Sequence, residues 1–330
     1  MSAILEAFNL SKKFGNFEAV KGVSFAVEEG EVFGLLGPNG AGKTTTISML
    51  TTVLKPSSGT ARIGGYDIIQ EPMKVKETIG LVPQDLALYP TLSARTNLNF
   101  FGSIYGLRGK QLAERVDDVL EVVALTERQK DAVEKFSGGM KRRVNIAAGL
   151  VHHPRLLFLD EPTVGVDPQS RNHIFESVLK LNRERGMSII YTSHYMEEVE
   201  LLCSRVAIVD QGVIVALDTV KNLIDMLGGG VIHVGLRQFN AALLGEIGGL
   251  GAVKTATVLA TPADGKEAVP VGEAVEAVTL VKVEALQSQE ALVNLIRFIN
   301  DKDLAIASLE ILEPNLESVF LHLTGKKLRE

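Results

Sequence analysis

Gly37-Pro38-Asn39-Gly40-Ala41-Gly42-Lys43-Thr44 carries the most specific chemistry in the chain. A glycine, four residues, then Gly-Lys-Thr is the spacing of a phosphate-binding loop. Glycines at 37, 40 and 42 let the backbone curl, so that several N–H groups point at one anion. A helix starting at the loop adds about half a positive charge at its N-terminus. Lys43 can reach β- and γ-phosphates, and the Thr44 hydroxyl can ligate Mg²⁺.

A second centre is Asp160-Glu161, at the end of the apolar run Leu156–Leu159. Two adjacent acids there repel each other unless a cation or a proton lies between them. Asp160 is suited to hold Mg²⁺, and Glu161 to polarise a water attacking the γ-phosphate. His194 follows the apolar run 188–193 and can donate a hydrogen bond to a γ-phosphate. Gln84 ends the run 79–82; its amide oxygen can meet a metal or water, or face solvent as a surface glutamine. Ser137 can cap a helix, and Gly138 and Gly139 leave the first N–H groups of that helix bare. That makes a second anion site, or a plain Ser-Gly-Gly turn before a solvated Lys141-Arg142-Arg143 face. Phe14 either stacks on a purine or packs in the core.

These residues need a scaffold that brings them together. Val32–Leu36 reads as a buried strand and Thr45–Leu50 as the first turns of a helix, which is the context the loop requires. Residues 156–159 read as a central parallel strand, whose C-terminal end is where α/β sheets present their sites, and 188–193 as another apolar strand. Residues 4–10 and 23–27 alternate and read as antiparallel strands, and 55–70 as hairpins. Leu98, Phe101 and Tyr105, then Leu112, Val116, Val119 and Leu120, follow helical spacing and mark an inserted helical subdomain. A helix is expected at about 169–185, and 206–209 with 213–217 read as a hairpin. His152 and His153, before Pro154, read as exposed loop residues.

The whole chain sets bounds. Its 330 residues favour two domains, and 46% hydrophobic content suffices for a packed core. A net charge of −6 gives no global pull towards nucleic acid or an anionic membrane surface. The single cysteine, Cys203, excludes an internal disulfide and fits a reducing compartment. No run of eighteen apolar residues occurs, so no membrane span is expected. Residues 1–6 lack the basic flank and apolar core of a signal peptide.

Taken together, these stretches resemble the nucleotide-binding subunit of an ATP-binding cassette (ABC) transporter over about residues 1–225. Gly37–Thr44 stands as the Walker A motif, Phe14 as the adenine-stacking aromatic and Gln84 as the Q-loop. Phe136-Ser137-Gly138-Gly139-Met140 stands as the signature, with Phe136 and Met140 departing from the commonest Leu-Ser-Gly-Gly-Gln. Leu156–Asp160 stands as Walker B, Glu161 as the catalytic glutamate, Val164–Asp167 as the D-loop and His194 as the switch histidine. Pro-Thr-Val-Gly-Val-Asp-Pro (162–168) adds a likeness to the ATPases of ABC-2 type exporters of drugs or lipids.

The resemblance implies an α/β fold of ABC type: a mostly parallel central sheet, an antiparallel β subdomain and a helical subdomain at about 85–150. It implies ATP and Mg²⁺, with Thr44, Gln84 and Asp160 on the metal, and Lys43, Gln84, Glu161 and His194 in hydrolysis. Nucleotide contacts would come from Phe14, residues 37–45 (through Thr45), Ser137, Gly138, Gly139 and Asp167. It further implies a head-to-tail homodimer, with a heterodimer as the alternative, and separately encoded membrane permease subunits. That places the chain peripherally on the cytoplasmic face of the cell membrane. The permease would dock near the Gln84 loop and the start of the helical insert, with Asp85, Leu88, Tyr89 and Phe100 as candidates, each of which could equally pack in the helix and loop core; no nucleic-acid partner is expected. The rival is a soluble ABC ATPase acting on a macromolecular partner.

The ATPase domain is expected over 1–227, and 228–330 as a small accessory α+β domain. Gly228–Gly230 reads as a hinge, 231–236 and 278–283 as strands, 290–299 as a helix and 261–276 as a loose loop. Residues 313–325 resemble the accessory C-terminal segment of export-type ABC ATPases.

Overall fold

The computed structural model describes residues 2–237, 239–260 and 278–325; the stretch 261–276 lies outside the described residues. The chain forms two compact units, one ending at Val220 and the other beginning at Lys221.

The first unit opens with two long strands, β1 (Ala3–Phe14) and β2 (Phe17–Glu28), then a fully buried β3 (Val32–Leu36). Helix α1 (Lys43–Leu50) follows the glycine-rich loop, and β4 (Ser58–Ile63) and β5 (Tyr66–Asp67) form the hairpin. After α2 (Pro72–Thr78) and β6 (Ile79–Val82) come the inserted helices α3 (Ala94–Ile104) and α4 (Gly109–Val122), and then α5 (Gly138–Leu150). The α/β alternation resumes with β7 (Leu156–Asp160), α6 (Pro168–Arg185), β8 (Ser188–Ser193) and α7 (Met196–Leu202). β9 (Arg205–Asp210) and β10 (Val213–Thr219) close the sheet as a hairpin.

The central sheet has the order β10-β9-β3-β8-β7-β6, with every pairing parallel except β10–β9. Strands β3, β7 and β8 are buried along their whole length, which is why they read as unbroken apolar runs rather than alternating ones. A second, antiparallel sheet, β2-β1-β4-β5, shares one core with it, and Phe25 stacks on Phe33 across the two at 5.3 Å between ring centres.

Parallel pairing fixes where the chemistry collects. Leu36 is level with Ser193, Thr192 with Asp160, and Leu159 with Val82. The loops leaving β3, β6, β7 and β8 therefore emerge together at one edge of the sheet.

The second unit follows a helix, α8 (Val220–Asp225), that straddles the boundary. It runs β11 (Val231–Arg237), α9 (Ala241–Gly248), β12 (Val253–Ala260), β13 (Val278–Ala285), α10 (Ser288–Asp301), β14 (Ile306–Leu312) and α11 (Leu316–Thr324). The order β12-β13-β11-β14, antiparallel throughout, is that of a split β-α-β domain. Ile232, Val234, Leu236, Val281 and Val283 pack with Leu295 and Ile299 of α10. Of the three glycines read as a hinge, Gly229 and Gly230 are closely packed. A Cβ on Gly229 would stand 2.4 Å from the Ala285 carbonyl oxygen, and one on Gly230 2.6 Å from that of Leu312.

Candidate functional site

The loop between β3 and α1 curls as its glycines allow. Gly42 takes φ 103°, and a Cβ there would meet the Ala19 carbonyl oxygen at 2.7 Å, so no other residue fits without displacement. Lys43 opens α1 and is 4% exposed. Its ammonium donates to the Gly37 and Pro38 carbonyls at 2.8 and 3.2 Å and pairs with Glu161 Oε1 at 3.1 Å. An ion pair this buried is held by geometry, since both charges have lost their water.

Glu161 leaves β7 with φ 47°, a left-handed conformation costly for a residue with a side chain. Its amide donates to Thr192 Oγ1 at 2.8 Å, which anchors the turn. The turn aims the carboxylate into the site. Gln84 Nε2 reaches Glu161 Oε2 at 3.5 Å, and His194 Nδ1 lies 3.4 Å from the same oxygen. Asp160 Oδ1 accepts from Thr192 Oγ1 at 2.8 Å and from Thr44 Oγ1 at 3.3 Å. Burial holds the Asp160 carboxyl above the usual carboxylate range against those two hydroxyl bonds, and the charge of Glu161 pushes it further. Such a carboxylate gains most from a cation.

A cavity of about 350 Å³ opens over this cluster, lined by Phe14, Phe17, Asn39, Gly40, Lys43, Thr44, Thr45, Gln84 and Glu161 among others. Phe14 is half exposed at the end of β1, with the Lys12 ammonium 5.3 Å from its ring centre, so it is not a core residue. Ser137 caps α5, accepting from the Met140 amide at 3.2 Å, and Asp167 caps α6 through Ser170 at 2.9 Å. That backbone bond holds the Asp167 carboxyl below its ordinary value. Ser137, Gly138, Gly139 and Asp167 do not line the cavity. A larger cleft, about 540 Å³, lies among Arg155, Arg185 and Ser188 and includes none of the residues above.

Sequence reasoning missed several participants. Phe17 stands beside Phe14 in the cavity wall, hidden because it opens a strand rather than a motif. Thr192 carries no motif signal of its own within the apolar run 188–193, yet it holds both Asp160 and Glu161. Arg142 does not belong to a solvated basic face. It is buried, and it donates to the Pro83 and Gln84 carbonyls at 2.9 and 2.7 Å, so α5 grips the Gln84 loop. Burial holds its guanidinium below the ordinary arginine value. His152 is half-buried rather than exposed, because its ring stacks on Tyr105 and bonds the Ile79 carbonyl. Burial lowers its pKa.

Residues 20–164 match the family model described as ABC transporter. The chain is 47% identical over 328 residues to the linearmycin resistance ATP-binding protein LnrL of Bacillus subtilis, covering 99% of this chain and all of that one. It is 36% identical over 318 residues to the daunorubicin resistance ATP-binding protein DrrA2 of Streptomyces coeruleorubidus, covering 96% of this chain and 94% of that one. Among solved structures it is similar to cbiO1 of Clostridium perfringens, part of the ABC transporter complex cbiONQ, with a TM-score of 0.62 at 30% identity over 69% of this chain and 95% of that one. It is also similar to the dimeric post-hydrolysis state of the ATP-binding cassette MJ0796 bound to ADP and Pi, with a TM-score of 0.59 at 26% identity over 65% of this chain and 98% of that one.

Proposed function

Because the chain belongs to the ATP-binding subunits of ABC transporters, we propose that two copies close head to tail around two ATP molecules and drive a separate membrane permease of the ABC-2 export type. ATP hydrolysis coupled to transport is the activity of this family and of this chain.

The observation that carries the reading is the meeting of Lys43, Gln84, Asp160, Glu161 and His194 at one sheet edge. In this reading Lys43 exchanges its hold on Glu161 for the β- and γ-phosphates, and Glu161 then takes the proton of the attacking water. His194 donates to the γ-phosphate, and Gln84 orients the water. Phe14 carries the adenine on its free face, with Phe17 beside it.

The donor set suits Mg²⁺: the Thr44 hydroxyl, the Asp160 carboxylate and the Gln84 amide are hard oxygens, and one carboxylate with substrate phosphates is its common arrangement. Bound there, Mg²⁺ would supply positive charge to neutralise the triphosphate.

The dimer is supported by what the cavity lacks. Ser137 caps α5 and Gly138 and Gly139 open it, outside the cavity lining, as they would to cover the γ-phosphate held by the partner copy, with Asp167 at the same interface. The dimeric form of MJ0796 is consistent with this. For the permease, Asp85, Tyr89 and Phe100 are exposed, Leu88 is half-buried, and the rings of Tyr89 and Phe100 meet edge to face at 5.0 Å. No described helix is long and apolar enough to cross a membrane. Attachment to the cytoplasmic face would therefore come through the permease. Relatives named for resistance to linearmycin and daunorubicin support a drug-type cargo.

The test is phosphate release and sedimentation with Mg²⁺ and ATP, followed by affinity capture from detergent-solubilised membranes. Hydrolysis, ATP-dependent dimers and a multi-span partner are expected. Capture of a soluble macromolecule alone would favour the non-transport reading, and a monomer that binds ATP without associating would overturn the dimer.

A further inference from the structure

Glu198, on α7, is a carboxylate the proposed chemistry leaves unused, and it is 2% exposed. Burying a carboxylate is costly unless it is paired or hydrogen-bonded. Here one oxygen is saturated. Glu198 Oε2 accepts from the hydroxyls of Thr163, Tyr191 and Ser193, each at 2.9 Å. The other oxygen is not. Glu198 Oε1 lies 3.7 Å from Arg171 Nε, and neither atom has a hydrogen-bond partner among the described residues.

The three donors and the arginine come from segments that frame the site. Thr163 lies two residues beyond Glu161, and Tyr191 and Ser193 form the end of β8 that delivers His194. Arg171 is in the first turn of α6, just past the Asp167 cap, and its guanidinium sits 5.3 Å from the ring centre of Tyr195. Tyr195 packs on His194 at 4.1 Å, and its amide donates to Ser193 Oγ at 2.9 Å. The Tyr191 phenol is pushed well up, first by burial and then by the charge of Glu198, so it stays a proton donor.

We infer that Glu198 is a positioning residue for ATP hydrolysis: through Ser193 and Thr163 it sets His194 against Glu161, with Arg171 as the adjustable contact that makes this setting follow the 164–167 turn. Charge-assisted bonds to three hydroxyls hold two chain segments at a fixed separation. When α6 shifts by a fraction of an ångström, Arg171 closes on or leaves Oε1, and the charge on Oε2 available to Ser193 changes with it. The inference rests on the roles given above to Glu161 and His194.

Glu198→Gln keeps the shape but removes the charge. With its amide oxygen among the hydroxyls, its NH₂ faces Arg171; turned round, it puts two donors among three. The full-length chain is assayed for kcat, KM for ATP and ATP affinity. Partners that orient a reacting group from behind are typically worth 10–100-fold, so a fall in kcat of about tenfold is expected, with KM and affinity within about twofold. Ser193→Ala and Thr163→Val should each lower kcat less, and add little in the Glu198→Gln background, as for one coupled unit. A kcat within twofold of the parent overturns the inference, and so does a fall matched by loss of ATP-binding stoichiometry. If Glu198→Gln does not fold, the two hydroxyl variants decide, and unchanged kcat in both overturns it. His194→Ala separates the levels: turnover kept there refutes the catalytic assignment itself, while turnover lost there but kept in Glu198→Gln refutes only this inference.

Discussion

The two units bury different things. Among the described residues, the buried polar and charged side chains all lie in the first unit except Thr279. They include Lys43, Arg142, Asn145, Asp160, Glu161, Thr163, Thr192, Ser193 and Glu198, most of them at the end of the parallel sheet. The second unit's core is Ile, Val, Leu and Ala under α9 and α10. Burying a polar group costs roughly 1–3 kcal/mol unless it finds partners, so a fold carries many of them only where they are used. The contrast sets the buried polar groups of the first unit beside the proposed chemistry, and for the second unit we propose packing or assembly. It also explains the hydroxyls: Thr44, Thr163, Thr192 and Ser193 each bond a buried carboxylate that water no longer solvates.

The sharpest way to break this contrast is at Glu161. Glu161→Gln should lower ATP turnover by about 10²–10⁴-fold, the range for a general base, while ATP binding and dimer formation persist. Phosphate release near the parent rate would remove Glu161 from the chemistry. Next comes Lys43→Ala, which removes the phosphate-facing cation and leaves Glu161 without its buried partner. Truncating one side of the buried lysine–phosphate contact costs about 2–5 kcal/mol of binding, so titration calorimetry should show ATP affinity down by well over tenfold. Unchanged affinity would mean that the loop does not hold the triphosphate.

A smaller effect is expected at the signature. A Cβ on Gly139 would come within 2.1 Å of Ser170 Cβ, so Gly139→Ala must push α5 away from α6. Overpacking of this kind costs about 1–3 kcal/mol, readable as a lower unfolding midpoint, and turnover should fall more than ATP affinity. Equal losses in both would place Gly139 in the structure alone. The smallest effect is expected on the other side of the contrast. We propose 228–330 as a separable domain, so a chain ending at Leu227 should bind ATP within about twofold of the parent by the same calorimetry, given that domains with their own cores fold as units. Lost binding in a folded truncation would mean that the second unit supports the site.

The motif residues were legible because they lie at or just past strand ends, as Phe14, Gln84, Asp160, Glu161 and His194 do, or at helix starts, as Ser137 and Asp167 do, and the central strands are continuous apolar runs that parallel pairing demands. Leu156–Asp160, Ser188–Ser193 and the 205–219 hairpin appear in the structure within a residue or two of their reading. The second unit was less legible. α9 carries Gly245 and Gly248, which blur its helical pattern, and β14 is exposed along most of its length, so no alternation marks it. Its antiparallel order depends on pairings between distant segments that no local pattern announces.

By itself the sequence determined the glycine-rich loop, the acid pair, the histidine and, in the first unit, the order of the main strands and helices, because each is a local matter of residue type and spacing. Only the tertiary structure decided that Arg142 grips the Gln84 loop, that Thr192 braces both acids, and that Glu198 gathers three hydroxyls from two segments. The reason is electrostatic. What a buried charge does depends on which donors surround it, and those donors arrive from elements dozens of residues away, brought level by the register of the sheet.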